Sequence, residues 1–237
     1  MSDPAPILLM TRPNAQSARF AEELAEMGLR TDAVISPLLE IVSEPAGIDL
    51  RGVAALVFTS ANGVRAYLDH SDRRDLPAFC VGGQTAAAAQ AGGLRARSAE
   101  GDLSDLARLL RGTSGPVLHL HGEHVSGDLA ALLGHEGPRV LSRVVYRQIA
   151  RPLTPEARAA LGGARPVLAP VFSRRTAELL RAELPQIHAP LCVVAISPAV
   201  SKVFQGLVGV NSLVAARPDH AAMIETVAER LAAGPSA

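Results

Sequence analysis

Residues Leu56–Leu68 read Leu-Val-Phe-Thr-Ser-Ala-Asn-Gly-Val-Arg-Ala-Tyr-Leu, an apolar strand pattern that breaks into polar residues and continues as a helix pattern. Thr59, Ser60 and Asn62 lie at the break. The first backbone N–H groups of a helix lack partners within the helix and carry partial positive charge. Ser60 or Asn62 can therefore cap this helix, and an anion can bind beside it. The stretch predicts a strand, a polar turn and a helix in immediate succession.

The same order of strand, polar turn and helix recurs along the chain. It is found in residues 8–24, 167–180, 191–204 and 212–232, and the turns contain Thr11-Arg12-Pro13, Phe172-Ser173-Arg174, Ile196-Ser197-Pro198 and Ala216-Arg217-Pro218. Such alternation is typical of α/β domains in which helices cover both faces of a parallel sheet. Since parallel strands end at a common edge, we expect their Ser, Thr, Asn and Arg side chains to face an anionic ligand there.

The composition argues against nucleic-acid and membrane partners. The chain of 237 residues is 48% hydrophobic, 19% charged and only 3% aromatic, so it can bury large cores. It lacks the aromatic platforms on which single-stranded nucleic acids stack. Its 23 basic residues balance 23 acidic residues, and no overall field attracts nucleic acid or an anionic membrane. Any anionic ligand must be held by local groups.

Targeting and redox features indicate a cytoplasmic protein. Residues 1–10 contain neither a basic region nor a long apolar core, and no run approaches the roughly 18 apolar residues of a membrane span. Cys80 and Cys192 each lie in an apolar strand pattern. We expect both to be buried free thiols, which is typical of a reducing compartment.

Length and pattern together predict two α/β domains, because the chain exceeds the roughly 150 residues of an average domain. Residues 38–42 and 141–150 look extended without a crossover helix, and parallel strands require such a connection. We interpret these two segments as connecting strands that pair in a two-stranded ladder. Residues 1–37 and 151–237 then form one discontinuous domain, and residues 43–140 form an inserted domain.

Several common sites are disfavoured by the motifs. The chain has no phosphate-binding loop of the Gly-x-x-x-x-Gly-Lys type and no Gly-x-Ser-x-Gly, and the turn at Val81–Thr85 lacks the spacing of a dinucleotide fingerprint. His119, His121 and His124 could serve a metal, since the first two project from one face of a strand. Their only acidic neighbour is Glu123, so we interpret them as a polar strand end and predict no metal site.

Hydroxyl groups at strand ends have two possible roles. Ser60, Ser173 and Ser197 could each be a helix cap and nothing more. Their recurrence at three equivalent turns favours contact with a ligand. Tyr146, one of two tyrosines, lies in the second connecting segment. It is either an ordinary strand residue or a hydroxyl donor, because a phenol is protonated at neutral pH.

Together these motifs resemble the uroporphyrinogen-III synthase family. The segments that carry the resemblance are, in order, Leu9–Pro13, Phe58–Val64, Val81–Ala86, Val144–Arg147, Phe172-Ser173 and Ala195–Pro198. Each is weak alone, but their order and spacing make a specific signal over nearly the whole chain. The sequence departs from the family at His121-Gly122-Glu123, where an Arg-Gly pair is common, and at Arg174-Arg175, where small residues are usual.

The resemblance implies a HemD-like fold of two parallel-sheet α/β domains, flavodoxin-like halves joined by a two-stranded β-ladder, with the active site in the cleft. It implies cyclisation of linear hydroxymethylbilane to uroporphyrinogen III, with loss of water, inversion of the last pyrrole ring and no metal or organic cofactor. It also implies a monomer that acts downstream of hydroxymethylbilane synthase. Tyr146 resembles the family's proton donor, and substrate-binding roles are implied for Thr59, Ser60, Asn62, Thr85, Ser173, Ser197 and Arg12.

From the residues alone, a second function stays open. A two-lobed cytoplasmic protein could bind an anionic metabolite without chemistry, because no residue here is indispensable in the way that a triad serine is. The product of the reaction separates the two functions. Hydroxymethylbilane closes spontaneously to the symmetric isomer I of uroporphyrinogen, so formation of isomer III identifies the enzyme.

Overall fold

A computed structural model describes residues 5–29, 31–44, 47–125, 127–184 and 187–233. The chain divides into two compact units, each built on its own β-sheet. Unit 1 comprises residues 1–40 and 150–237, and unit 2 comprises residues 41–149. The predicted α/β class with two parallel sheets is confirmed.

The strands and helices of the described chain alternate over most of its length. The strands are β1 Ile7–Met10, β2 Asp32–Ile35, β3 Leu39–Ser43, β4 Ala55–Phe58, β5 Pro77–Cys80, β6 Arg95–Ser98, β7 Val117–Gly122, β8 Val140–Ala150, β9 Val167–Val171, β10 Leu191–Ala195 and β11 Val210–Val214. The helices are α1 Asn14–Glu26, α2 Ala61–His70, α3 Gly83–Ala91, α4 Leu103–Leu110, α5 Leu129–Leu133, α6 Pro155–Gly162, α7 Arg174–Ala182, α8 Pro198–Ser201 and α9 His220–Ala232, and a 3-10 turn spans Lys202–Phe204.

Unit 1 contains a five-stranded sheet in the order β11-β10-β9-β1-β2, and its neighbouring strands are parallel. Side chains alternate between its faces along each strand. Leu9 packs in the core beneath α6 and α7, while Leu8 and Met10 pack in the core beneath α1 and α9. Both faces of the central strands are therefore buried, which explains their uninterrupted apolar sequence.

Unit 2 contains a six-stranded sheet in the order β3-β8-β7-β4-β5-β6. Its central strand β4 is buried along its whole length. Leu56 and Phe58 face the core formed with α2 and α3, while Ala55 and Val57 face the core formed with α4 and α5. The stretch that opened the sequence analysis thus forms the centre of this unit.

The two extended segments pair with each other, as expected, at the edge of the six-stranded sheet. The backbone N–H of Glu44 donates to the carbonyl of Val145 at 2.8 Å. We expected a ladder separate from the sheets, but β8 also runs parallel to β7, from Val117 opposite Val140 onwards. The short helix α5 supplies the crossover between β7 and β8, so β8 joins the sheet while pairing with β3.

The close packing of unit 2 depends on one glycine of α2. A Cβ atom at Gly63 would lie 2.7 Å from the backbone carbonyl oxygen of Leu120 in β7. The helix therefore sits closer to the sheet than any other residue at this position would allow.

Two further expectations concern the thiols and the membrane. Cys80 and Cys192 are free, the first buried and the second half-buried, and burial raises the pKa of the Cys80 thiol to about 11. Within the described residues, no helix has the length and apolar character needed to cross a membrane.

Candidate active site

The turn between β4 and α2 presents two hydroxyl groups. Ser60 has extended backbone angles and is the N-cap of α2, and its Oγ accepts a hydrogen bond from the backbone N–H of Asn62 at 3.1 Å. Because this bond uses only a lone pair of Ser60, the hydroxyl hydrogen remains available for a ligand. Ser60 is therefore both a helix cap and a possible donor.

A cavity of about 470 Å³ lies within unit 2, where strands β4, β5 and β7 end. Its polar lining includes Thr59, Ser60, His119 and Tyr146, while Val81, Leu103 and Val125 supply apolar surface. The first turn of α4, with Asp102 and Ser104, and residues Gly122, His124 and Gly127 complete the lining. Such a mixture of apolar walls and a few polar groups is typical of small-molecule sites.

Tyr146 is buried, with 6% of its surface exposed, and its ring belongs to the core that includes Phe58 and Leu120. The ring lies against Gly122, where a Cβ atom would be 2.5 Å from the phenol Cζ and 2.9 Å from the hydroxyl oxygen. Among the described residues, no group forms a hydrogen bond with this hydroxyl. It is therefore free to donate to a ligand in the cavity.

His119 contacts the cavity beside Thr59. Its Nε2 lies 3.2 Å from Thr59 Oγ1. The pKa of His119 is lowered to about 4, mainly by burial and in smaller part by the electrostatic influence of His121. The imidazole is thus neutral at physiological pH and acts as a hydrogen-bonding group, not as a cation.

The second histidine of this motif is held by the protein. His121 lies on the same face of β7, with its ring centroid 4.7 Å from that of His119, as predicted. Its Nδ1 is 2.7 Å from the carbonyl oxygen of Gly122, and its Nε2 is 2.7 Å from Ser142 Oγ. Within the described residues, no group of three or more His, Cys, Asp or Glu side chains could hold a metal.

Unit 1 carries a half-buried cation at the end of β1. The guanidinium carbon of Arg12 lies 4.0 Å from the centre of the Phe172 ring, and burial lowers the pKa of Arg12. The Arg12 carbonyl accepts a hydrogen bond from Ser17 Oγ at 2.8 Å, which fixes the turn. No described carboxylate pairs with Arg12, so its charge is available for an anion.

Ser173 and Ser197, the two serines of unit 1 that were predicted to bind the substrate, differ in their hydrogen bonds. Ser173 caps α7: its Oγ accepts from the Thr176 backbone N–H at 3.1 Å and donates to Thr176 Oγ1 at 2.8 Å. Its hydrogen-bonding capacity is thus largely used within the protein. Ser197 precedes α8 at the N-cap position but makes no capping hydrogen bond, so its hydroxyl stays available.

The predicted residues are thus only partly brought together. Thr59, Ser60 and Tyr146 line one cavity. Asn62 instead accepts a hydrogen bond from Arg65 at 2.8 Å and, like buried Thr85, is outside that lining. Arg12, Ser173 and Ser197 follow the neighbouring strands β1, β9 and β10 of unit 1.

A family model described as uroporphyrinogen-III synthase HemD matches residues 18–225. The chain belongs to the uroporphyrinogen-III synthase family. Members of this family are cyclising lyases of tetrapyrrole biosynthesis, so the predicted family and activity are confirmed. Nothing in the comparisons supports a non-catalytic binding protein.

Solved structures show the same fold. The uroporphyrinogen-III synthetase of Helicobacter pylori 26695 shares 18% identity at a TM-score of 0.69, over 95% of this chain and 99% of that chain. A mutant uroporphyrinogen III synthase of Thermus thermophilus shares 15% identity at a TM-score of 0.53, over 97% of this chain and 99% of that chain. No curated protein sequence is significantly similar to the chain.

His119 and Gly122 are among the residues of the unit 2 cavity that were not identified as site residues from the sequence. His119 was recognised only as a possible metal ligand, and its contact with Thr59 depends on the register that sets Val57 opposite His119. Gly122 was recognised only as a departure from the family. Its contact with Tyr146 follows from the irregular pairing of β7 with β8 at His121 and Gly122.

Proposed function

We propose that the chain converts hydroxymethylbilane to uroporphyrinogen III, with Tyr146 donating a proton to the departing hydroxyl group. The observation that carries this proposal is the unpartnered Tyr146 hydroxyl in a cavity that also holds Thr59 and Ser60, in a chain matched by its family model over residues 18–225. The cavity also offers apolar walls to a pyrrole ring.

Tyr146 has a defined part in the first step. Electrons from the pyrrole push out the hydroxyl group as the C–O bond breaks, and the phenol proton completes a molecule of water. The azafulvenium cation left behind is attacked by the last pyrrole at its substituted carbon, which gives a spiro intermediate. The spiro intermediate then reopens as the original bond from the substituted carbon to its methylene bridge breaks, and the bridge carbon bonds to the free α-carbon of the same pyrrole. The proton lost from that α-carbon restores the aromatic ring and the phenol.

The protein's main task is to fold the substrate and keep the cation from water. The pyrroles supply the electrons, so positioning of the reacting carbon matters more than a strong acid or nucleophile. The buried ring of Tyr146 and the half-buried side chains Val81 and Leu103 exclude solvent from the cavity wall.

Acetate and propionate groups of the substrate require uncharged hydrogen-bond donors in unit 2, because the described residues that line its cavity include no arginine or lysine. We assign this role to the hydroxyl groups of Thr59 and Ser60 and to the N-terminal end of the ten-residue helix α2, which carries partial positive charge. In unit 1, we assign carboxylate binding to Arg12 and Ser197, whose polar groups are available. Binding roles for Asn62, Thr85 and Ser173 stay predictions.

The deciding experiment is an isomer analysis. Purified protein is mixed with freshly generated hydroxymethylbilane, the products are oxidised, and the uroporphyrin isomers are separated by chromatography. We expect isomer III with the wild-type protein and a much lower yield of it with Tyr146→Phe. Isomer I alone, at the rate of a protein-free control, would refute the proposed function.

We further propose that the protein acts as a monomer in the cytoplasm and receives its substrate from hydroxymethylbilane synthase. This substrate closes spontaneously to isomer I, so the enzyme must intercept it soon after release. Sedimentation of the purified protein tests the monomer. A delay between addition of the synthase and of this protein should lower the fraction of isomer III, and a fraction independent of the delay would contradict the order of steps.

A further inference from the structure

His119 is a buried polar residue that the proposed chemistry does not yet use. It is 6% exposed, it lines the cavity, and its Nε2 lies 3.2 Å from Thr59 Oγ1. Thr59 in turn is half-buried and lines the same cavity. A substrate group in contact with Thr59 would therefore meet a hydroxyl whose orientation is set by the imidazole behind it.

The direction of this hydrogen bond determines what Thr59 can do. If His119 Nε2 accepted the Thr59 hydrogen, Thr59 would present only oxygen lone pairs to the cavity and would repel a carboxylate. If His119 Nε2–H donates to Thr59 Oγ1, the Thr59 hydrogen is free to bond with a carboxylate. Only the second arrangement suits an anionic substrate, and this step rests on the proposed function.

The neighbouring histidine excludes the competing role of a metal pair. Since a carbonyl only accepts, the 2.7 Å contact of His121 Nδ1 with the Gly122 oxygen requires an N–H at Nδ1. In a neutral ring, Nε2 then accepts from Ser142 Oγ at 2.7 Å. Both nitrogens of His121 are thus occupied, which leaves His119 without a partner ligand on its own strand face.

We propose that His119 is a positioning residue that donates from Nε2–H to Thr59 and so directs the Thr59 hydroxyl hydrogen towards a carboxylate of the substrate. The ring works in its neutral form, because burial lowers the pKa of His119 well below the physiological range. Its contribution should therefore be constant above about pH 6, unlike that of an acid or a charged ligand.

Three substitutions test this chain of contacts. His119→Leu removes the donor, Thr59→Val removes the hydroxyl, and His119→Gln retains an amide N–H that can reach the Nε2 position. We expect His119→Leu to lower kcat/KM roughly 3- to 10-fold, the effect of one hydrogen bond, mainly through a higher KM. His119→Gln should recover most of this loss.

The double variant distinguishes a linked pair from two independent residues. If His119 acts through Thr59, the double variant should lose no more activity than Thr59→Val alone. Losses that multiply, or a His119→Leu variant with wild-type kcat/KM, would overturn the proposal. Exposed His135 provides the matched control, and His135→Leu should leave kcat/KM unchanged.

A substrate-free measurement separates this inference from the proposed function. Nitrogen-15 NMR of the imidazole reports the tautomer, and we expect Nε2–H at His119 with a resonance shift in Thr59→Val. An Nδ1–H tautomer, or no change in the Thr59 variant, would refute the donor role. If the wild-type protein made no isomer III, the proposed function would fail, and the NMR result would still decide the role of His119.

Discussion

Acid should weaken the folding of unit 2 through the buried imidazole of His119. Burial lowers the pKa of this side chain from 6.5 to about 4. Between these two values the unfolded chain binds a proton that the folded protein excludes. Stability is therefore unaffected above the unfolded pKa and falls as the pH drops through this window.

The size of the effect follows from the shift. Each pH unit within the window costs about 1.4 kcal/mol, so the penalty should reach about 2 kcal/mol at pH 5 and about 3 kcal/mol at pH 4. His119→Gln removes the titrating group and keeps a polar side chain of similar reach. The free energy of unfolding of the variant, relative to the wild-type protein, should rise by these amounts as the pH is lowered from 7.

Urea unfolding followed by circular dichroism at pH 7, 6, 5 and 4 measures this difference. Other carboxylates and histidines titrate in both proteins and cancel in the comparison. His135→Gln is the matched control, because its side chain is exposed and its relative stability should not change with pH. A difference between wild type and His119→Gln that stays constant from pH 7 to pH 4 would refute the argument from burial.

The remaining predictions concern the proton donor, a helix contact and a cation. Tyr146→Phe should lower kcat by about 10²-fold, towards the low end for a general acid, and should leave the circular dichroism spectrum unchanged. An unchanged kcat would show that Tyr146 is an ordinary strand residue. Gly122→Ala should also lower kcat, because its methyl group would overlap the Tyr146 ring; a crystal structure with an unmoved ring would contradict this. Gly63→Ala should reduce the free energy of unfolding by about 1–3 kcal/mol through overpacking against β7, and unaltered urea unfolding would show that α2 can shift at little cost. Arg12→Lys should raise KM more than it lowers kcat, since an ammonium group cannot stack on the Phe172 ring as a planar guanidinium does. An unchanged KM would show that Arg12 does not bind the substrate.

The α/β fold could be predicted because local sequence patterns indicate its strands and helices. Strands buried on both faces read as uninterrupted apolar runs, and β4 and β9 are followed by helices that Ser60 and Ser173 cap. The placement of β8 was harder to predict. Its eleven residues pair with β7 and with β3, and a sequence pattern reports the length of a strand without its neighbours.

The lining of the candidate cavity could be predicted where its residues lie in turns that follow strands. Thr59 and Ser60 follow β4 directly, and a strand-end hydroxyl is a local signal. The contact of His119 with Thr59 could not be predicted in this way, because it depends on the strand order and register that bring the two residues together across sixty residues of sequence. Asn62 illustrates the opposite case, since its neighbour Arg65 engages its side chain at the helix surface.

Gly122 and Tyr146 are linked in a way that constrains how this sequence can change. Since the phenol ring occupies the space of a side chain at position 122, mutation there to any larger residue should be tolerated only together with a change at position 146. The two positions should therefore vary as a pair among close homologues. If Tyr146 is the proton donor as proposed, a relative with a side chain in place of Gly122 should supply that proton from another strand or loop.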